Sequence, residues 1–372
     1  MTGARVVEVR AVAVSAPLHT PFVTAVRRTT TVDTVVVTVT DDDGVTGWGE
    51  APQAWRITGD SLAGTTACVE GPVRDALVGG PADPREAWPR LAGCAVGNAG
   101  AKMAVDTALH DLAARRAGVP LAVHLAAHLG VAGTPAPDLR VPTDVTLAAG
   151  EPAALAAAAR DRVADGFAVL KIKVGTSAAT DVARVRAVRA AVGHGVELRL
   201  DANQGWDARS AVRVVRELED DGLGVTLVEQ PVPARDHLGL AHVRAHVDTP
   251  VMADESLVDL EDLVSLVRLG ACDAVNVKLA KCGGLTPAAE LLEVAARHGL
   301  GTMVGSMMES HLGVGAAGSL VAAVGTTWGA DLDAGWWAAA SPYVGGPAYQ
   351  GPVLVLPDAP GLGVTGLALP GS

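Results

Sequence analysis

Only five lysines occur among the 29 basic residues of this 372-residue chain, and four of them sit in two short segments. Lys171 and Lys173 form one pair, Lys278 and Lys281 the other, and Lys102 stands alone. The remaining basic charge is arginine, and the excess of Ala, Gly and Val suggests a GC-rich genome that keeps Lys mainly where Arg will not serve. An ammonium can lose its proton near neutral pH when its surroundings depress its pKa, whereas a guanidinium effectively cannot. The distribution of lysine therefore points to proton-transfer chemistry.

Carboxylates recur with equal regularity. Asp201 in Leu200-Asp201-Ala202-Asn203, Glu229 in Val228-Glu229-Gln230-Pro231 and Asp254 in Ala253-Asp254-Glu255-Ser256 each follow a short apolar run. Brought together they would repel one another unless a cation sat between them. An all-oxygen set with room for water and substrate suits Mg²⁺ better than zinc, which would attract His or Cys. The alternative is three separate caps of following helices. Glu255 alone reads as a helix start or as support for its neighbour. Lys281, with Gly283 and Gly284, reads as a structural or surface loop residue. The histidines, His311 included, show no ligand spacing and read as structural.

Short β-rich segments alternating with helical ones would position these groups. Candidate strands end near Thr146, Lys173, Asp201, Glu229, Asp254, Lys278, Ser306 and Asp331, roughly one β-loop-α unit apart, and about eight such units close a parallel barrel. Almost every strand ends on a polar or ionisable residue, as the active-site face of a barrel requires. A doubly wound open sheet fits the alternation but not those polar ends. Within Lys171-Ile172-Lys173 the period of two turns both ammonium groups into the barrel mouth. Lys278 would face Lys173 across it, so that the two could serve opposite faces of one carbon. Ahead of the barrel the chain reads as α+β: a strand over 6–14, then strands 31–40 and 45–49 bracketing the turn Asp41-Asp42-Asp43-Gly44. From Ser61 to Ala117 the pattern is helical, broken at Asn98-Ala99-Gly100 before an amphipathic helix through Met103, Val105, Leu109 and Leu112. The expected organisation is a capping domain over 1–134, a barrel over 135–334 and a final segment, 335–372, packing back on the first domain.

A formal net charge of −12 argues against nucleic acid or an anionic membrane as partner, since both call for clustered Lys and Arg. The first ten residues carry charge within a strand-like alternation and lack the apolar core of a signal peptide. Gly313 to Ala330 is uncharged, but its Gly, Ala, Ser and Thr fit a buried helix plus strand better than a membrane span. A cytoplasmic protein is expected, with Cys68, Cys94, Cys272 and Cys282 as free thiols.

Taken together, Lys171-x-Lys173, Asp201-Ala202-Asn203, Glu229-Gln230-Pro231, Asp254-Glu255 and Lys278 resemble the muconate lactonizing enzyme subgroup of the enolase superfamily, whose sites pair a Lys or His base with Mg²⁺. Gly47-Trp48-Gly49-Glu50-Ala51 resembles a turn of its capping domain, so the likeness spans nearly the whole chain. It implies an α/β fold, a (β/α)₇β TIM-like barrel with an N-terminal α+β capping domain completed by the C-terminal segment. It implies one Mg²⁺ per subunit on Asp201, Glu229 and Asp254, and α-proton exchange through a metal-stabilised enediolate. Lys173 and Lys278 would be the acid–base pair, with Lys171 depressing the Lys173 pKa. The subgroup catalyses several reactions. Asp331-Leu332-Asp333 resembles the Asp-x-Asp pair with which dipeptide epimerases hold a substrate's free ammonium group. Arg27, in Pro21-Phe22-Val23-Thr24-Ala25-Val26-Arg27, resembles the arginine that holds a glutamate side chain in Ala-Glu epimerases, although Arg28 is adjacent. Ile57-Thr58-Gly59-Asp60-Ser61 resembles the companion loop. Thr146, Ser306 and Met307 are the remaining candidate substrate contacts. The expectation is a homo-oligomeric dipeptide epimerase favouring Ala-Glu-like substrates. An N-acylamino acid racemase or o-succinylbenzoate synthase is the alternative on the same scaffold, and an inactive scaffold protein the alternative from another class.

Overall fold

The computed structural model describes residues 3–23, 28–131, 138–148 and 150–368. Strands β1 (Val6–Val23), β2 (Arg28–Asp41) and β3 (Thr46–Pro52) form an antiparallel sheet in the order β1-β2-β3. Asp41 makes the β2–β3 turn. It is buried, and one of its carboxylate oxygens accepts from Asp43 N at 3.1 Å and Val45 N at 2.9 Å. Helices α1 (Leu62–Cys68), α2 (Arg74–Leu77), α3 (Pro84–Gly93), α4 (Ala99–Ala117) and α5 (Leu121–His128) follow. Asn98 caps α4 in the left-handed region (φ 53°), which accounts for the expected break.

Two expectations need correction here. The Gly47-to-Ala51 motif lies inside β3 and is not a turn. Its glycines let the strand lie on the α4 backbone: a Cβ on Gly49 would stand 2.0 Å from Ala104 O, and one on Gly47 2.0 Å from Ala108 O. Helix α4 is not amphipathic but buried on nearly all sides, because β3 covers one face while α5 and barrel helices cover others.

After β4 (Arg140–Pro142), eight parallel strands make the second unit: β5 (Val145–Leu147), β6 (Val169–Lys173), β7 (Glu197–Asp201), β8 (Val225–Glu229), β9 (Val251–Ala253), β10 (Ala274–Lys278), β11 (Gly301–Gly305) and β12 (Ala330–Asp331). They pair in sequence order, and a parallel bridge between Thr143 and Ala330 joins the first edge to the last. Between them run α6 (Pro152–Ala164), α7 (Ala178–Val192), α8 (Ala208–Asp220), α9 (His237–His246), α10 (Leu260–Leu269), the short α11 (Leu279–Cys282) with α12 (Leu285–Arg297), and α13 (His311–Val324). This is the (β/α)₇β barrel read from the sequence, and the strand ends fall within one residue of those expected. The uncharged Gly313–Ala330 stretch lies in α13 and the start of β12. Among the described residues, no helix is long and apolar enough to cross a membrane.

The last segment does more than pack on the first domain. Strand β13 (Tyr343–Gly345) pairs with β16 (Val364–Leu367), while β14 (Ala348–Gln350) and β15 (Val353–Val355) form a sheet with β4 just before the barrel. Its contact with the first domain is polar and specific. Leu121 N donates to Gly361 O at 2.9 Å, and buried Asp111 accepts from Trp48 N at 2.8 Å and from Leu362 N.

Candidate active site

Parallel register aligns the chemistry. Lys173, Asp201 and Glu229 pair in one row across β6, β7 and β8, and Lys278, Gly305 and Asp331 in another across β10, β11 and β12. Asp254 follows β9 directly. Lys171, Lys173, Asp254, Lys278 and Asp331 line a cavity of about 460 Å³, together with Thr29, Arg56, Ile57, Thr146, Ser306, Met307, Met308, Asp333 and Trp337, while Asp201 and Glu229 are fully buried against Lys171. A wider hollow of about 580 Å³ lies elsewhere, bounded by Glu8, Arg10, Glu70, Arg74 and Asp75, and it holds none of these groups.

The carboxylates are buried and bound to lysines in a definite order. Lys173 Nζ lies 2.5 Å from Asp201 at one end, and Lys278 Nζ lies 2.8 Å from Asp254 at the other. Beneath them Lys171 Nζ reaches Glu229 and Asp331 at 2.8 Å and Asp201 at 3.1 Å. Gly305 makes room for the Lys278 chain: a Cβ there would come within 3.0 Å of Lys278 Cε. Burial alone would raise the Asp201 and Asp254 pKa values, but the surrounding ammonium groups outweigh it and hold both below the usual range. Glu229, between two other acids, is pushed up to about 8 by burial, which Lys171 offsets only in part and which Asp201 and Asp254 reinforce. Burial would also lower the Lys171 and Lys278 pKa values, yet their carboxylate partners raise both.

This donor set fits Mg²⁺. Three buried carboxylates from adjacent strands offer oxygen alone, and an acid as uncompensated as Glu229 has a use for further positive charge. Tight loops hold the set in place. Asn203 and Gln230, just after β7 and β8, take positive φ of 40° and 37°. Asn203 N donates to Asp201 at 2.9 Å, and Gln230 Oε1 accepts from Asp254 N at 2.9 Å and Ser256 N at 3.0 Å.

Several site residues differ from the sequence expectation. Lys281 is buried rather than a surface charge, and its ammonium donates to Asp254 at 2.6 Å. Asn276 Nδ2 holds Glu229 at 3.2 Å. Asn276 had no signal beyond lying near Lys278, whereas Lys281 carried the signal of scarce lysine but was read as a structural or surface loop residue. Glu255 accepts from Asn203 Nδ2 at 3.3 Å, consistent with a supporting role. Asp331 and Asp333 both reach the cavity but hold different partners. Asp331 binds Lys171, while Asp333 accepts from Thr146 N at 2.7 Å and Trp337 Nε1 at 3.0 Å. Arg27 lies outside the described residues. Arg56 lines the cavity, one residue before the loop singled out in the sequence.

Residues 6–125 match the mandelate racemase / muconate lactonizing enzyme N-terminal domain, and residues 154–366 match the enolase C-terminal domain-like family. The chain belongs to the mandelate racemase / muconate lactonizing enzyme family. Within that family it is 38% identical over 367 residues to the L-Ala-D/L-Glu epimerase of Bacillus subtilis, covering 98% of each chain. The substrate-liganded structure of that enzyme superposes with a TM-score of 0.92, over 98% of this chain and 100% of the other. A dipeptide epimerase from Enterococcus faecalis, complexed with Mg and the dipeptide L-Leu-L-Tyr, is 36% identical with a TM-score of 0.89, covering 97% and 99%. An N-succinyl-L-Arg/Lys racemase from Bacillus cereus is 31% identical over 81% of this chain and 79% of its own. The family's capping domain and TIM-like barrel are the two units described above.

Proposed function

We propose that the protein is a Mg²⁺-dependent dipeptide epimerase acting at the α-carbon of the C-terminal residue. The observation that carries this is the placement of Lys173 and Lys278 on either side of the carboxylate set, one bound to Asp201 and the other to Asp254. A substrate carboxylate over that set would present its α-carbon between two ammonium groups. Asp201, Glu229 and Asp254 would hold one Mg²⁺, which supplies positive charge to orient that carboxylate and offset the charge growing on it as the α-proton leaves. Lys173 exchanges the proton on the face of the L centre and Lys278 on the opposite face. Lys171, fixed by three acids, keeps a positive charge beside Lys173. Asp331 and Asp333 bind the substrate's free ammonium group, with Thr146, Ser306 and Met307 lining its path. Residues 1–134 cap the barrel of 135–334, and 335–372 complete the cap.

Ala-Glu-like dipeptides are the favoured substrates. Support comes from the Bacillus subtilis relative, from the resemblance of the Pro21-to-Arg27 sequence to the arginine segment of Ala-Glu epimerases, and from Arg56 at the cavity wall. The Bacillus cereus relative favours a second reading, racemisation of an N-acylated amino acid. The Asp331–Asp333 pair weighs against it, because an N-acylated amino acid has no free α-ammonium group for that pair to bind.

The test is solvent-deuterium incorporation. Lys173→Arg and Lys278→Arg should each abolish epimerisation of L-Ala-L-Glu, while each still exchanges the α-proton of one stereoisomer. Epimerisation at near wild-type rate by either variant would refute the two-lysine mechanism. A wild-type preference for N-succinylamino acids over free dipeptides would establish the second reading instead.

A further inference from the structure

Three histidines gather far along the chain from the lysines and carboxylates of the cavity. His110 lies in the middle of α4, and His124 and His128 stand four residues apart on α5, so the two share one helix face. One ring nitrogen of each falls within 4.8 Å of the others, and His110 Nδ1 lies 3.3 Å from His124 Nε2. Two imidazole nitrogens on a tetrahedral zinc, each about 2.0–2.1 Å from the metal, stand about 3.3–3.4 Å apart. The sequence reading found no ligand spacing among the histidines. It missed the i, i+4 pair on α5, and His110 joins that pair only through tertiary packing.

The neighbours of His110 fix its tautomer. The Thr286 hydroxyl donates to Asp106 Oδ1 at 2.8 Å and so must accept from His110 Nε2, 3.0 Å away. The Asp106 carboxylate also accepts from Thr286 N at 2.9 Å, so the hydroxyl is held in that orientation. His110 therefore carries its proton on Nε2 and turns a bare Nδ1 lone pair toward His124. An outer carboxylate acting through a hydrogen bond on the far ring nitrogen is how ligating histidines are commonly oriented.

We propose that His110, His124 and His128 form a structural site for a zinc-like divalent ion, separate from the carboxylate cavity. The ion would tie α5 to α4 and, through His110 and Thr286, to the start of the barrel helix α12. His110 is buried, while the other two are half-buried and leave an approach from solvent for the ion and a water ligand. Binding requires that the proton on His124 Nε2, which in the free triad is shared with His110 Nδ1, move to Nδ1 of the same ring. Asp106, Asp83 and Arg85 are the charged groups facing the trio: Asp106 lies 3.9 Å from His110 Nε2, Asp83 favours a cation at His124 and His128, and Arg85 opposes one. Burial first, and Arg85 and the rings' mutual repulsion after it, keep the imidazoles neutral as ligands must be.

The experiment is a Zn²⁺ titration of the full chain against a chromophoric chelator in excess Mg²⁺, paired with thermal melts. Wild type and Asp254→Asn should take up one Zn²⁺ with equal affinity, and Zn²⁺ should raise the melting temperature of both. Thr286→Val should weaken uptake roughly 10–100-fold, the usual effect of losing an orienting partner. His124→Gln and His128→Gln should weaken it further and remove the thermal shift. Their half-buried positions let them fold, which circular dichroism checks. Zinc uptake lost in Asp254→Asn but kept in the histidine variants would assign the ion to the carboxylate cavity and overturn the proposal. No uptake by wild type would overturn it as well, leaving a hydrogen-bonded histidine triad.

Discussion

Under the proposed function, Arg27 is the side chain that would read an acidic substrate residue, and Arg28 and Arg56 are the neighbours to compare it with. If Arg27 meets a substrate carboxylate in a partly dry pocket, Arg27→Ala leaves that charge unpaired at a cost of about 2–5 kcal/mol, so kcat/KM for L-Ala-L-Glu should fall between tens and thousands of times. Activity on Ala-Leu or Ala-Met should hardly change, and Arg28→Ala should be neutral. Arg56 is exposed at the cavity rim, where a screened charge contributes at most about 1 kcal/mol, so Arg56→Ala should cost no more than about fivefold. A dipeptide panel on the three variants reads all of this, and equal losses on acidic and apolar dipeptides would remove the Ala-Glu preference. Glu309 carries a different consequence. It is buried with Oε2 unpartnered, and burial, reinforced by Glu50 and only partly offset by the Met307 backbone N–H, pushes its pKa up to about 8 from an ordinary 4.5. Between those values the unfolded chain has lost the proton that the folded chain keeps, so raising the pH favours unfolding. The Glu309 contribution to stability should therefore decline from about pH 5 to about pH 8, and relative to wild type Glu309→Gln should gain on the order of 2–4 kcal/mol at the upper end. Urea melts at several pH values measure both slopes, and parallel slopes would contradict this account.

At the scale of elements, the contact of β3 with α4 holds the cap together and fixes Glu50. That residue accepts from Ser310 N at 2.7 Å and from the Tyr343 hydroxyl at 2.7 Å, so one side chain of the cap ties the start of α13 to the closing segment. Gly49→Ala would drive a methyl group into Ala104 O and force strand and helix apart. Overpacking of this kind costs about 1–3 kcal/mol. A melting temperature several degrees lower is expected, together with weaker substrate binding, because the cap carries Thr29 and Arg56 to the cavity. An unchanged melting temperature would mean that β3 and α4 are not in backbone contact.

For the whole molecule, the charge of the barrel mouth links stability to metal. Buried Asp201, Glu229 and Asp254 are balanced by lysines alone, and Glu229 incompletely. A ligand that binds only the folded state stabilises it by RT ln(1 + [L]/Kd), about 2.7 kcal/mol at a hundredfold excess over Kd. Mg²⁺ should therefore raise the melting temperature of chelator-treated protein and restore its activity, and should do neither for the Asp201→Asn, Glu229→Gln double variant. Full activity in metal-free wild type would exclude the metal-dependent reading.

Much of this was present in the linear order of residues. Strand ends are legible because a buried parallel strand is a short apolar run, and a polar residue at its end has one place to go. Scarce lysine in an arginine-rich chain marks Lys171, Lys173, Lys278 and Lys281. The closed barrel followed from counting such runs. What the sequence left undecided depends on which distant segments meet. Lys281 reads as a loop residue until β9 places Asp254 beside it, and Gly47 and Gly49 read as turn residues until α4 lies against them. Asp331 and Asp333 are two residues apart, yet one binds Lys171 on β6 and the other the backbone of Thr146 on β5. The histidine triad needs α4 and α5 packed side by side, with Thr286 of α12 against them. Periodicity records which face of an element is buried, but the partner on that face is set by packing between segments far apart in the chain, and only the tertiary structure decides it.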